Sequence, residues 1–221
     1  MDLRFKDYNS VSTLINKNYQ NEWNQISRVL SDMPLHLKAS DQAGLKGQAI
    51  FDPVGTNAYI KSKMTGCGWG SNVNIPNEFR FLGKDIDFVK RGLLVEVQFS
   101  NYPFLMNNIQ RSDLFFKSET VLGRSKAELL IIVAKAHMFP ASQSTLYYEQ
   151  AINQLDALVQ HGGFSIPVRL AGLESPMGRN IPSIWTTYDN PRYSRKVIQQ
   201  EKVPVDIAPG NTARSRAVIT R

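Results

Sequence analysis

Between Leu93 and Phe99 the chain alternates strictly. Leu93, Val95, Val97 and Phe99 fall on one side of an extended strand, and Leu94, Glu96 and Gln98 fall on the other. The first side is core. The second places a carboxylate and an amide next to each other, a few residues after Asp85-Ile86-Asp87.

The same reading locates other elements. Ile15, Tyr19, Trp23, Ile26 and Leu30 recur at helical spacing and predict a helix from about Ser12 to Leu30, broken at Pro34. The stretch from Gly44 to Asn77 is rich in Gly, Asn and Pro, so loops are expected there, with at most one short helix near Asn57–Lys63. After the Leu93–Phe99 strand, Pro103 suits a first helical turn. Phe104, Leu105, Ile109, Ser112, Phe115 and Phe116 then form an apolar stripe.

"ELLIIVAKA" is a continuous apolar run of the kind a strand needs when both faces of its sheet are covered. Strand, helix and buried strand in that order predict a parallel crossover. A further helix over about Thr145–His161, ending at Gly162-Gly163, buries Ile152, Leu155 and Val159, and "IPVRLAGL" supplies another strand. The expected class is α/β, with irregular and β structure in the last third.

Composition sets the outer limits. With 221 residues, 42% of them hydrophobic, one sizeable core and a single domain over 1–221 are expected. No segment reaches membrane-span length, the first ten residues hold no signal-peptide core, and one cysteine, Cys67, makes no internal disulfide. Together these predict a soluble cytoplasmic protein with no membrane partner. The net charge of +7 is uneven: residues 190–221 hold seven Lys/Arg against two acidic residues. A basic C-terminal third, about 175–221, suits a surface that meets phosphates, and equally suits a solvated terminus.

The candidate chemistry gathers around Glu96. Asp87 lies far enough before it for a turn at Lys90–Gly92 and a return alongside. Two carboxylates and the main-chain carbonyl of Val97 form an oxygen-only set of the kind Mg²⁺ takes, with water and phosphate completing the shell. Such an ion generates a hydroxide nucleophile and neutralises charge on a phosphodiester. Asp87 and Glu96 are therefore candidate ligands, and Gln98 is a candidate to orient the attacking water or a phosphate oxygen. An ordinary half-exposed strand beside an Asp-containing turn has the same pattern. His36, His137 and His161 lack metal-ligand spacing, and there is no Walker loop or nucleophile elbow.

The Asp87…Glu96-x-Gln98 pattern resembles the PD-(D/E)xK nuclease site, with Gln98 in the usual place of a lysine. More specifically, the chain resembles the BglII-type restriction endonucleases. The segments carrying that likeness are Met33–Ala43, Ile50–Asn57, Asp85–Leu105, "HMFPAS", "LYYEQA" and "RYSR" at Arg192–Arg195. They span nearly the whole chain in order.

The resemblance implies a restriction-endonuclease-like α/β core, with a mixed central β-sheet flanked by helices and a small β subdomain that embraces DNA. It implies a homodimer that uses Mg²⁺, with Mn²⁺ substituting. Such a dimer cuts both strands of a six-base-pair palindrome with GATC at its centre and leaves 5′ overhangs ending in 5′-phosphate. It places Asp87, Glu96 and Gln98 in the catalytic group with Asn72 beside them.

DNA reading falls, by the same resemblance, to Ser100 and Asn101, to Gln143 and Ser144, and to Tyr193, Ser194 and Arg195. Asn and Gln suit adenine, and Arg suits guanine. Gln143 stands where the family pattern has Asn, and residues 198–221 match only in their basic character, which leaves the outer base pair open. Two alternatives stay open beside a site-specific nuclease. One is a non-catalytic DNA-binding protein on the same fold, and the other is a structure-specific repair nuclease.

Overall fold

The computed structural model describes residues 1–141, 146–190 and 195–220. The chain opens with strand β1 (Asp2–Tyr8), which the sequence did not advertise because its charges mask the alternation. Arg4 pairs with Glu149 and Glu174, and Lys6 with Asp156, at 2.5–2.7 Å. Charged side chains of this kind are ordinary on an edge strand. The predicted N-terminal helix runs as α1 (Val11–Leu14), a π-helical turn (Ile15–Tyr19) and α2 (Gln20–Ser31), with the expected stripe buried.

Strands β2 (Leu35–Ala39) and β3 (Ala49–Phe51) follow, and then α3 (Pro53–Gly66) and β4 (Gly70–Asn74). This region corrects the expectation of loops and one short helix, since it holds a 14-residue helix and further strands. Asp52 caps α3 by accepting from the Val54 N–H at 3.1 Å, and Pro53 fits the first turn. The helix buries Gly55, Thr56, Ile60 and Met64, a stripe half made of small residues. Gly55 is required there: a Cβ would sit 2.5 Å from the Asp52 carboxylate.

A short 3₁₀ turn (Asn77–Leu82) leads into the hairpin β5 (Asp85–Lys90) and β6 (Leu93–Val97), then α4 (Pro103–Lys117). In α4 the stripe is buried as expected except at its ends: Phe104 is 51% exposed and Phe116 only partly covered. The small pair β7 (Val121–Leu122) and β8 (Ser125–Lys126) precedes β9 (Leu129–Lys135), α5 (Tyr148–Gln160) and β10 (Val168–Glu174). The last third forms β11 (Gly178–Tyr188), β12 (Val197–Pro209) and β13 (Ser215–Ile219).

Six strands make a mixed sheet in the order β1-β10-β9-β6-β5-β4. β10, β9 and β6 are parallel, and β1, β5 and β4 join antiparallel. The β6-α4-β9 crossover is the predicted one. α1, α2 and α3 cover one face with Leu93, Val95, Ile131 and Val133, and α4 and α5 cover the other with Leu94, Leu130 and Ile132. Cover on both faces is why β9 reads as unbroken apolar sequence.

The second sheet is a closed barrel, β11-β12-β13-β3-β2. Leu35, Leu37, Phe51, Val205 and Ile207 of the barrel share one hydrophobic core with Leu93, Val95, Ile131 and Val133 of the main sheet. Phe51 packs edge-on against Phe99 and Phe139, at 5.3 and 5.1 Å between ring centres. Among the described residues no helix is long and apolar enough to cross a membrane.

Candidate active site

The β5–β6 hairpin turns through two residues, Arg91 (φ 52°) and Gly92 (φ 88°). Consecutive left-handed residues make the tight turn whose twist matches flanking strands. Its register pairs Phe88 with Val95, which sets Asp87 and Glu96 across from each other. The Val97 N–H donates to Asp87 Oδ2 at 2.8 Å, so the backbone of one strand fixes the carboxylate of the other.

Asn72 joins from β4. Ser71 pairs with Phe88 and Val73 with Ile86, so Asn72 lies opposite Asp87, in a left-handed conformation with φ 50°. Lys61 on α3 donates to Asn72 Oδ1 at 2.5 Å. Lys61, Asn72, Asp87, Val97 and Arg195 all line one cavity of about 540 Å³. Four residues singled out from sequence thus meet at one opening, brought there from β4, β5, β6 and the segment before β12.

Glu96 is placed differently. It is 3% exposed, it does not line the cavity, and Arg111 of α4 donates to its Oε1 at 2.5 Å. Burial pushes Glu96 up to about 8 despite the Arg111 guanidinium, with Asp87 and Asp85 adding to the rise. Burial raises Asp87 as well, against the Val97 amide and Arg111. Two carboxylates that resist ionisation side by side are a place where a divalent cation would relieve repulsion. The donor set is oxygen alone and fits a hard ion. Among the described residues no group of three or more His, Cys, Asp or Glu could hold a metal, so a main-chain carbonyl, water or phosphate must complete the shell.

Gln98 does not line the cavity either. Its amide donates to Ser100 Oγ at 2.5 Å and accepts from Asn108 at 3.4 Å, linking the end of β6 to α4. Ser100 and Asn101 are exposed just beyond, and Arg195 is exposed at the cavity rim. Gln143, Ser144, Tyr193 and Ser194 lie outside the described residues.

Sequence reasoning missed Lys61, Arg111 and Lys135. Lys135, at the end of β9, is fully buried; it donates to the carbonyls of Phe99 (3.1 Å) and Leu146 (2.7 Å) and lies over the Tyr147 ring. The Leu146 N–H donates to the Ser100 carbonyl at 3.1 Å. One ammonium therefore holds the chain leaving β6 against the chain entering α5.

Burial pulls Lys135 down to about 7, with Arg214 adding to the shift. Above that pH the folded chain has released a proton that the unfolded chain, with a lysine pKa of about 10.4, still binds. Stability therefore rises with pH from about 7 to 10, by up to about 1.4 kcal/mol per unit. In Lys135→Met this contribution should be absent. Urea unfolding at pH 7 and 9 checks it, and equal pH slopes in the two proteins would refute the assignment.

A mixed sheet with helices on both faces, paired carboxylates on adjacent strands and a β subdomain is the restriction-endonuclease-like class of α/β fold. A family model described as "Restriction endonuclease BglII/BglIII" matches residues 3–173. The type II restriction enzyme BglII of Bacillus subtilis is 47% identical over 216 residues, 98% of this chain and 96% of that protein. The chain belongs to the BglII/BglIII restriction endonuclease family. The crystal structure of BglII complexed with a DNA 16-mer superposes with a TM-score of 0.93 at 45% identity, both chains covered in full. Free BglII superposes at 0.76 and 42% identity, also with full coverage of both chains, so this backbone follows the DNA-complexed form more closely.

Proposed function

We propose that this type II restriction endonuclease hydrolyses one phosphodiester in each strand of a six-base-pair palindrome with GATC at its centre. The products are 5′ overhangs carrying 5′-phosphate, and the active species is a homodimer in the cytoplasm. A two-fold dimer presents the same reading surface twice, which matches a palindromic duplex. The observation that carries the reading is the cavity where Asp87, Asn72 and Val97 converge with Lys61 and Arg195. It sets an acidic centre among cations at a scale that admits a backbone phosphate.

Asp87, Glu96 and the Val97 carbonyl would hold Mg²⁺, or Mn²⁺ in its place. When bound, the ion supplies a lowered water pKa and neutralises charge on the phosphodiester. The chain's own residues do the rest. The Val97 amide orients Asp87, and Arg111 holds Glu96 in place. Ser100, Asn101 and Arg195, together with Gln143, Ser144, Tyr193 and Ser194, are assigned to the DNA bases.

Digestion of a plasmid of known sequence with Mg²⁺ tests the function. Discrete fragments mapping to one hexamer are expected. No cleavage would favour a binding protein on this fold, and random degradation a nuclease without base readers.

Gln98 acts in this reading through position. Its amide bridges Ser100 to Asn108, so Gln98→Ala should be severely impaired, while Gln98→Glu keeps an oxygen near the site and should retain partial activity with altered metal preference. Wild-type rates for both variants across Mg²⁺ and Mn²⁺ titrations would remove Gln98 from the mechanism.

A further inference from the structure

We infer that Lys61 is a further catalytic residue, an ammonium that meets the phosphodiester in the cavity lined by Asp87 and, bonded to Asn72, neutralises charge developing on it. The inference rests on the nuclease reading above and adds a residue to it.

Hydrolysis of a phosphodiester builds negative charge on the phosphoryl oxygens, and a fixed cation aimed there acts only as that charge appears. The side chains around Asp87 fall into two groups. Arg111 is occupied by Glu96 in the protein interior, and the Gln98 amide is turned between Ser100 and Asn108. Among the described residues Arg195 and Lys61 are the cations on the cavity wall, and of the two Lys61 is bonded to a neighbour of Asp87.

Three features hold Lys61 in place. α3 is anchored at its start, where Asp52 caps the helix and also accepts from the Tyr188 hydroxyl of β11 at 2.7 Å. Close approach at Gly55 fixes the helix against that cap. Farther along, Ile60 and Met64 are buried in the core, so Lys61 emerges from a helix pinned on both sides of it.

Asn72 then settles the polarity of the site. Its carbonyl oxygen is engaged by an ammonium that has only hydrogens to offer, so the amide NH₂ is the end left for another acceptor. Lys61 and Asn72 thus present hydrogens opposite an acidic group on the neighbouring strand. A left-handed φ at a non-glycine residue costs free energy, and here it is spent at the position facing Asp87. A phosphate oxygen between these donors completes the arrangement.

The test uses full-length wild type, Lys61→Met and Lys61→Arg on a duplex carrying the site mapped by plasmid digestion. Single-turnover cleavage is measured with Mg²⁺ and equilibrium binding with Ca²⁺. Lys61 is exposed, so the variants should melt as wild type does. Lys61→Met should cut the bound duplex about 10²-fold more slowly. Its affinity should change by less than about tenfold, and Lys61→Arg should recover part of the rate.

A wild-type rate in Lys61→Met overturns the proposal while leaving the nuclease reading intact. So does weaker binding with an unchanged rate on bound duplex, which makes Lys61 an ordinary backbone contact with a salt slope reduced by about one. If wild type itself yields no discrete fragments, the underlying reading has failed instead.

Discussion

Glu96→Gln and Asp87→Asn should each lose DNA cleavage by at least about 10²–10³-fold, the usual cost of removing a group that stabilises transition-state charge. The amides are better probes than alanine. Glu96→Ala would strand Arg111, whose Nε already has no partner, in the interior. Gln keeps an acceptor for the guanidinium, and Asn at position 87 keeps one for the Val97 amide. What changes is charge, and with it the proposed hold on a divalent ion. Specific binding in Ca²⁺ or without metal should survive, because the residues proposed to read the bases are separate side chains. Single-turnover cleavage beside competition binding with cognate and scrambled duplex decides the matter. A cleavage rate within tenfold of wild type in either variant would remove that carboxylate from the chemistry.

The carboxylates were legible in the sequence because a hairpin is local. Strict alternation over Leu93–Phe99, the glycine at the turn and the spacing back to Asp87 all lie within one short stretch, and the observed register matches them. The buried strand Leu129–Lys135 and the helix before β2 were equally open, each having a single period along its length.

The parts that stayed hidden depend on distant or atypical residues. β2 pairs with β11 through Leu35–Ser183 and Leu37–Trp185, a contact that no window of sequence contains. Early in α3 come Gly55, Thr56 and Asn57, residues that individually favour loops; packing against the core overrides that preference. Lys135 sits inside an apolar run and Arg111 in a helix already accounted for by its stripe. Only the fold brings their charges to Phe99 and Glu96.

Arg111→Met should destabilise the metal-free protein in a way that grows with pH. Arg111 is 8% exposed, and Gly83 makes room for it: a Cβ there would lie 2.6 Å from Nη1. Glu96 already holds its proton up to about 8 in the folded chain, against 4.5 as its ordinary value. Without the guanidinium its pKa must climb further, since the largest opposing influence is gone.

The sign follows from proton counts. Where the folded state binds a proton that the unfolded state has released, stability falls as pH rises. At pH 5 Glu96 is largely protonated in both folded proteins, so the variant should lose little through this pair. By pH 9 wild type has an ionised, paired Glu96, while the variant must keep a proton or bury an unpaired charge. Keeping the proton is the cheaper course, so the loss through this pair grows by about 1.4 kcal/mol for each pH unit above about 8. Urea unfolding of wild type and Arg111→Met at pH 5 and pH 9, in chelator, should give a small difference at the first and one larger by about 1.4 kcal/mol at the second. A difference independent of pH would mean that Arg111 contributes by packing alone, and that Glu96 is held in place by something else.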